Sequence, residues 1–131
     1  MATVTASLTL SSPDLTGDNL SLSTSSTLTK AGTVTGLDQT TGVSRKTYTT
    51  GSIQTLIAKG DYADDKAHKV YIRNTSSVAT EHILVTIEAQ LLGRLYAGDW
   101  ALLPFNGDQD IKITPSVSTA LTVEFMVIYE S

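Results

Sequence analysis

The residues that could do chemistry in this chain are few. Two histidines, His68 and His82, have no carboxylate at a spacing that completes a metal site with them. They read as surface or strand-end residues. Asp61, Asp64 and Asp65 form one acidic cluster, and Asp108 with Asp110 forms another. Oxygen-rich loops bind Ca²⁺, but neither cluster has the twelve-residue loop with its central Gly and terminal Glu. They read as solvated turn aspartates. The Gly-x-Ser-x-Gly elbow, the Gly-x-Gly-x-x-Gly fingerprint and the P-loop are all absent. No carboxylate pair for glycoside hydrolysis can be singled out, because any two acidic residues on a sheet protein can approach each other. With no cysteine there is no thiolate nucleophile, thiolate metal ligand or disulfide. The expectation is a protein that is not an enzyme, with no catalytic residue, no cofactor and no metal ligand.

Charge and length exclude further classes. Net charge is −4, and only Arg45 and Lys46 are adjacent among the basic residues. Phosphate-backbone binding needs clustered Lys and Arg that release counterions, so no nucleic-acid partner is expected. No apolar run approaches the roughly 20 residues that span a bilayer, and Glu124 interrupts the C-terminal one. "MATVTASLTL" alternates and has no basic lead into an apolar run, unlike a secretory leader. At 131 residues the length is that of one domain.

The elements that must position any site are strands. Ser and Thr make up roughly a quarter of the chain, and β-branched Thr suits a half-wet pleated sheet. "TVTASLTLS" puts Val4, Ala6, Leu8 and Leu10 on one face and hydroxyls on the other. "SSPDLTGDN" is turn chemistry, and "LSLSTSSTLT" alternates again, more weakly. Residues 17–45 are Ser/Thr/Gly-rich and read as a less core-like hairpin or arm, with loops around a short strand near Val34. "KTYTT" and "SIQTLIAKG" read as short strands, and "DYADDKAHK" as a polar connection. "KVYIRN" turns Val70 and Ile72 inward and Tyr71 and Arg73 outward. "HILVTIEAQ", "QLLGRLYAGD", "DIKIT" and "LTVEFMVIYE" continue the pattern, and Asn106-Gly107 predicts a hairpin turn. Short strands joined by turns, without helical periodicity, predict a single all-β domain, an antiparallel β-sandwich of jelly-roll type.

The densest apolar stretch is "LYAGDWALLPF", Leu95 to Phe105, which holds the sole tryptophan. Trp100, Leu102 and Pro104 alternate with Ala101, Leu103 and Phe105, so both faces of this strand are apolar. Pro104 cannot donate to a ladder, so the strand lies at a sheet edge or pairs only in its first half. An apolar edge strand aggregates unless something covers it. Two readings stand beside each other. Trp100 and Phe105 fill the sandwich core, or Trp100, Leu103, Pro104 and Phe105 form a subunit or particle interface. A small-molecule or sugar pocket is a third.

"VYIRNTSS" (Val70 to Ser77), "LYAGDWALLPF", "DIKIT" and "VEFMVIYE" together resemble a pattern in small virion structural proteins of tailed bacteriophages, marine and cyanobacterial ones included. The resemblance covers about sixty residues and marks strands and turns rather than chemistry. It implies a β-sandwich that works by assembly, as a capsid decoration, or cement, protein on the outer surface of the phage head. The partners it implies are copies of the chain itself, a trimer foremost, and the major capsid protein. Another virion part, a tail, neck or fibre module that binds receptor or glycan, is the alternative.

Overall fold

Most of the alternating stretches become strands. A computed structural model describes residues 2–131, and among them no helix occurs, so none is long and apolar enough to cross a membrane. Eleven strands follow in order: β1 (Thr5–Ser12), β2 (Leu20–Thr27), β3 (Gln39–Thr40), β4 (Ser44–Tyr48), β5 (Gln54–Ile57), β6 (His68–Asn74), β7 (His82–Ile87), β8 (Gln90–Tyr96), β9 (Trp100–Phe105), β10 (Ile111–Pro115) and β11 (Leu121–Tyr129). They form three antiparallel sheets. One is a four-stranded sheet in the order β5-β10-β7-β8, and a second is a five-stranded sheet in the order β3-β11-β6-β9 with β4 also on β11. The third is the two-stranded ribbon β1-β2.

The two larger sheets make the sandwich. From the five-stranded sheet, Val70, Ile72, Phe105, Leu121, Val123 and Val127 point inward, and from the four-stranded sheet Ile57, Ile83, Val85, Ile111 and Ile113 meet them. Burying each such side chain contributes about 1.5–3 kcal/mol before chain entropy is counted. The connections β5–β6, β6–β7, β8–β9, β9–β10 and β10–β11 each pass from one sheet to the other. The core is therefore assembled almost wholly from residues distant in sequence.

Two expectations change here. Asn106-Gly107 joins β9 to β10, but these strands lie in different sheets, so the turn is an inter-sheet corner and not a hairpin. Its carbonyls accept bonds from the 60–66 loop, Lys66 N–H to Asn106 at 3.3 Å and Gly60 N–H to Gly107 at 3.3 Å. Asn-Gly dictates local φ, which a corner requires as much as a hairpin does. Val34 is not in a strand. It is 98% exposed in a bend, inside a loop closed by the Thr29–Gly36 bridge.

The Ser/Thr/Gly-rich stretch 17–45 divides. Residues 20–27 are β2, paired to β1 in an unbroken register from Thr5–Thr27 to Ser12–Leu20. Leu28 and Leu37, by contrast, are buried against Ile128 of β11, with Val4, Ala6 and Met126 around them, in a small second core on the outer side of the five-stranded sheet. This second core anchors the base of the ribbon. Beyond it the ribbon pairs with no other strand among the described residues and forms an arm.

His68 opens β6 and His82 opens β7, both at strand ends, but His68 is fully buried. Its Nδ1 accepts the Glu130 N–H at 3.2 Å, so Nε2 carries the proton and donates to the Ala63 carbonyl at 2.9 Å. The ring packs among Tyr62, Phe105 and Tyr129. It ties the 61–66 loop and the C-terminal residues to the sandwich. His68→Ala leaves the Glu130 N–H and the Ala63 carbonyl unpaired and opens a cavity, and is expected to cost about 2–4 kcal/mol in denaturant unfolding.

Candidate functional site

The outward face of the five-stranded sheet carries what the core does not absorb. Register sets its side chains in rows across the strands. One row is Trp100, Arg73, Glu124 and Arg45, on β9, β6, β11 and β4 in turn. The next is Leu102, Tyr71 and Met126, and the third is Pro104, Lys69, Ile128 and Thr40. The face is thus polar towards Arg45 and apolar towards Trp100 and Leu102.

Glu124 holds the polar half together. Arg45 donates from Nε at 3.0 Å and approaches from a terminal nitrogen at 2.9 Å, both to one carboxylate oxygen. The Tyr71 hydroxyl donates to the other oxygen at 2.9 Å. The Tyr71 hydrogen bond and then Arg45 lower the Glu124 pKa below its ordinary 4.5. A carboxylate with a lowered folded-state pKa stabilises the fold fully above the unfolded value, and that stabilisation is lost as pH falls through the folded value. Glu124→Gln is therefore expected to flatten the loss of stability as pH falls below that ordinary value. Thermal unfolding from pH 7 to 3 reads this out. A wild-type profile matching the variant's would contradict it.

The apolar half is a groove of about 390 Å³, floored by Tyr71, Trp100, Leu102, Met126 and Ile128 and walled by the base of the arm. Trp100 is 53% exposed there. The four interface candidates divide by parity. Trp100 and Pro104 face outward, while Leu103 packs against the core and Phe105 lies within it. β9 is an edge strand, as Pro104 allows. Core-filling therefore holds for Phe105 and fails for Trp100. With both faces apolar, composition could not choose a side. Phe105 enters because it ends β9 against His68, where the inter-sheet corner begins, and alternation then turns Trp100 out.

Set against family models, curated proteins and solved structures, the chain matches none of them.

The arm is sided. In its ladder Ala6, Leu8, Leu10 and Ser12 on β1 oppose Ser26, Thr24, Leu22 and Leu20 on β2, giving one face four leucines. The other face pairs Thr5, Ser7, Thr9 and Ser11 with Thr27, Ser25, Ser23 and Ser21, eight hydroxyls and nothing else. Leu10 and Leu22, directly opposed, are 46% and 45% exposed. Charge is confined to the connecting loop, at Asp14 and Asp18. Alternation in the sequence marked the faces of β1. The Ser/Thr-rich composition of 17–45 marked β2 as part of a hairpin or arm, but that β1 would leave the sandwich with it had no local signal, and the Arg45–Glu124–Tyr71 tie had none either.

The aspartate clusters sit in loops. Asp110 accepts the Lys59 N–H at 2.7 Å, and its own N–H donates to Glu88 at 3.0 Å, which fastens one end of the four-stranded sheet. Among the described residues no three His, Asp or Glu side chains are grouped to hold a metal ion.

Three of the four stretches singled out in the sequence converge, while "DIKIT" lies apart as β10 of the four-stranded sheet. β6, β9 and β11 are neighbours in one sheet, and "RNT" meets "AGD" through Asn74. Asn74 is fully buried. Its side-chain amide donates to the carbonyls of Leu95 at 3.0 Å and Glu81 at 3.3 Å, and its side-chain oxygen accepts the Ser76 N–H at 3.0 Å. Its backbone N–H reaches the Asp99 carbonyl at 3.0 Å, and its carbonyl accepts the Gly98 N–H at 2.9 Å. The two motifs, twenty-odd residues apart, are one structural joint.

Proposed function

We propose that this chain is a structural module of an assembled particle, a capsid decoration protein that binds the outer surface of a tailed-phage head and ties neighbouring capsomers together. One observation carries the reading: a two-faced arm whose leucine side leaves Leu10 and Leu22 exposed among the described residues, beside an apolar groove on the outer sheet. Isolated two-stranded ribbons are marginal in water, so a ribbon with one apolar face is built to lie on something. The resemblance of the β6, β9 and β11 motifs to small virion proteins supplies the kind of particle.

Cement action needs no bond-making. A protein that binds the expanded shell and not its precursor stabilises that shell by mass action. Several modest contacts per oligomer, engaged together, give tight attachment through effective concentration. In a tailed phage encoding this chain, heads made without it are expected to release DNA at a lower temperature than heads to which the purified chain has been returned. Equal heat resistance of the two would remove the cement role.

Exposed Trp100, in a row with Arg73 and beside Tyr71, supports a second reading, a tail or fibre module that stacks a sugar ring on the indole. Because Trp100 is the sole tryptophan, its fluorescence isolates this question. Saturable quenching by glycans, with the protein located on tails by particle imaging, selects the second reading.

A further inference from the structure

We propose that the leucine face of the arm seats in the Trp100–Leu102 groove of a second copy of this chain, with Asp14 and Asp18 at the arm tip meeting Arg73 and Lys69 on the neighbour's outer sheet. The proposal deepens the assembly reading and rests on it.

The arm cannot serve its own groove. Val4, Ala6 and Leu28 at its base form the groove wall, and the ladder runs unbroken from there to the tip. Eight residues per strand carry it about 27 Å at roughly 3.4 Å per residue, whereas four strands at about 4.8 Å make the sheet only about 14 Å across. The arm is long enough to cross a neighbour's whole sheet.

The two surfaces match in kind. The arm offers Leu10 and Leu22, and the groove offers Trp100 and Leu102. The hydroxyl face of the arm stays in water. Charge is complementary. Neither strand of the arm carries a charge, and the tip carries two aspartates that join no ion pair among the described residues. The outer sheet face presents Arg73 and Lys69, which likewise have no carboxylate within ion-pair distance among the described residues. Wall and floor belong to one continuous surface on each copy, so one symmetry operation covers both apolar sets at once.

The chain has no cysteine, which gives a direct test. Leu22→Cys and Leu102→Cys are made as separate full-length proteins, mixed, and exposed to a mild oxidant. The expected product is a mixed disulfide dimer, formed at least tenfold faster in the mixture than either protein dimerises alone. In sedimentation, Asp14→Lys with Asp18→Lys is expected to weaken association at least tenfold, as is Arg73→Glu. Mixing the two charge-reversed proteins restores it. Leu91→Ser with Leu92→Ser, an apolar loss on exposed β8, is expected to leave association unchanged. Circular dichroism and thermal midpoints check that each variant folds.

A wild-type chain that stays monomeric at high concentration overturns the proposal. So does an oligomer in which the two introduced thiols never link, or one that the β8 pair dissociates instead. A monomer that still protects heads from heat refutes this pairing and leaves the cement role standing. Pairing as described, without head binding, does the reverse.

Discussion

Replacing Gly107 with alanine is expected to lower the unfolding free energy by about 2–5 kcal/mol. Two costs combine. Gly107 has φ of +101°, outside the range an L side chain adopts without strain. A Cβ there would also overlap the Ala63 carbonyl oxygen, and would lie 2.9 Å from the Ala63 carbonyl carbon and 3.2 Å from the Asp64 Cα. These are backbone atoms, so no side-chain rotation relieves the overlap. The 61–66 loop would have to lift, and with it Ala63, the acceptor for buried His68. Gly60→Ala is the control. It too has positive φ, +87°, but nothing lies within 4 Å of its added Cβ. It is expected to cost only about 1 kcal/mol, the price of the backbone conformation alone. Urea midpoints with unchanged m-values read both. Equal losses in the two variants would show that the close approach has no energetic weight.

Asn74→Ala is expected to cost about 3 kcal/mol, since it strands the Leu95 and Glu81 carbonyls and the Ser76 N–H in a buried place. The aspartate variant separates hydrogen bonding from shape. It keeps the size and the acceptor but turns a carboxylate oxygen towards two carbonyl oxygens. Asn74→Asp is therefore expected to be at least as damaging as alanine at pH 7, and to recover as pH falls and the carboxyl gains a proton it can donate. The sign follows from linkage. Repulsion and burial raise the folded-state pKa of such a group, so folding favours the protonated form and stability rises on acidification. A profile parallel to that of Asn74→Ala between pH 7 and 4 would refute the hydrogen-bonding account. Because Asn74 joins β6 to the 97–99 turn, loss of this joint also loosens β9 and misplaces Trp100 in the groove. Association is thus expected to weaken along with stability, whereas arm variants weaken association alone.

Much of the fold was legible in the residues. In "KVYIRN" the period assigns Val70 and Ile72 to the core, and both are buried. In "LTVEFMVIYE" it puts Leu121, Val123, Phe125, Val127 and Tyr129 on one face. Of these Leu121, Val123 and Val127 are buried and Phe125 and Tyr129 half-buried, while Ile128 of the opposite face is covered too. Pro104 narrowed the strand to an edge or a half-paired one because it has no N–H to donate to a neighbour, and β9 is an edge strand paired along its length to β6 alone. Where period two was ambiguous, the reading was open. In "WALLPF" both parities are apolar, so which of Trp100 and Phe105 faced out depended on the corner beyond. In "KAGTVTGLD" the alternation around Val34 resembled a strand, yet Leu37 supplied the buried residue and Val34 ended in solvent. A strand needs a partner as well as a pattern, and Val34 has none.

The candidate site was the least legible part. Row partners such as Arg45 and Glu124, or Arg73 and Trp100, meet only because four strands from across the chain lie side by side. The residues themselves determined that this chain forms strands, which side of most strands turns inward, where the turns fall, and that nothing in it has the spacing of a known catalytic motif. Those properties depend on φ preferences and on polarity repeating every second residue, both of which are local. Only the tertiary structure decided that β1 and β2 leave the sandwich, that Asn-Gly turns a corner between sheets, and that Trp100 stands in the open beside the base of the arm. Each of these depends on which strand neighbours which, and pairing between distant segments is chosen by the packing of the whole core.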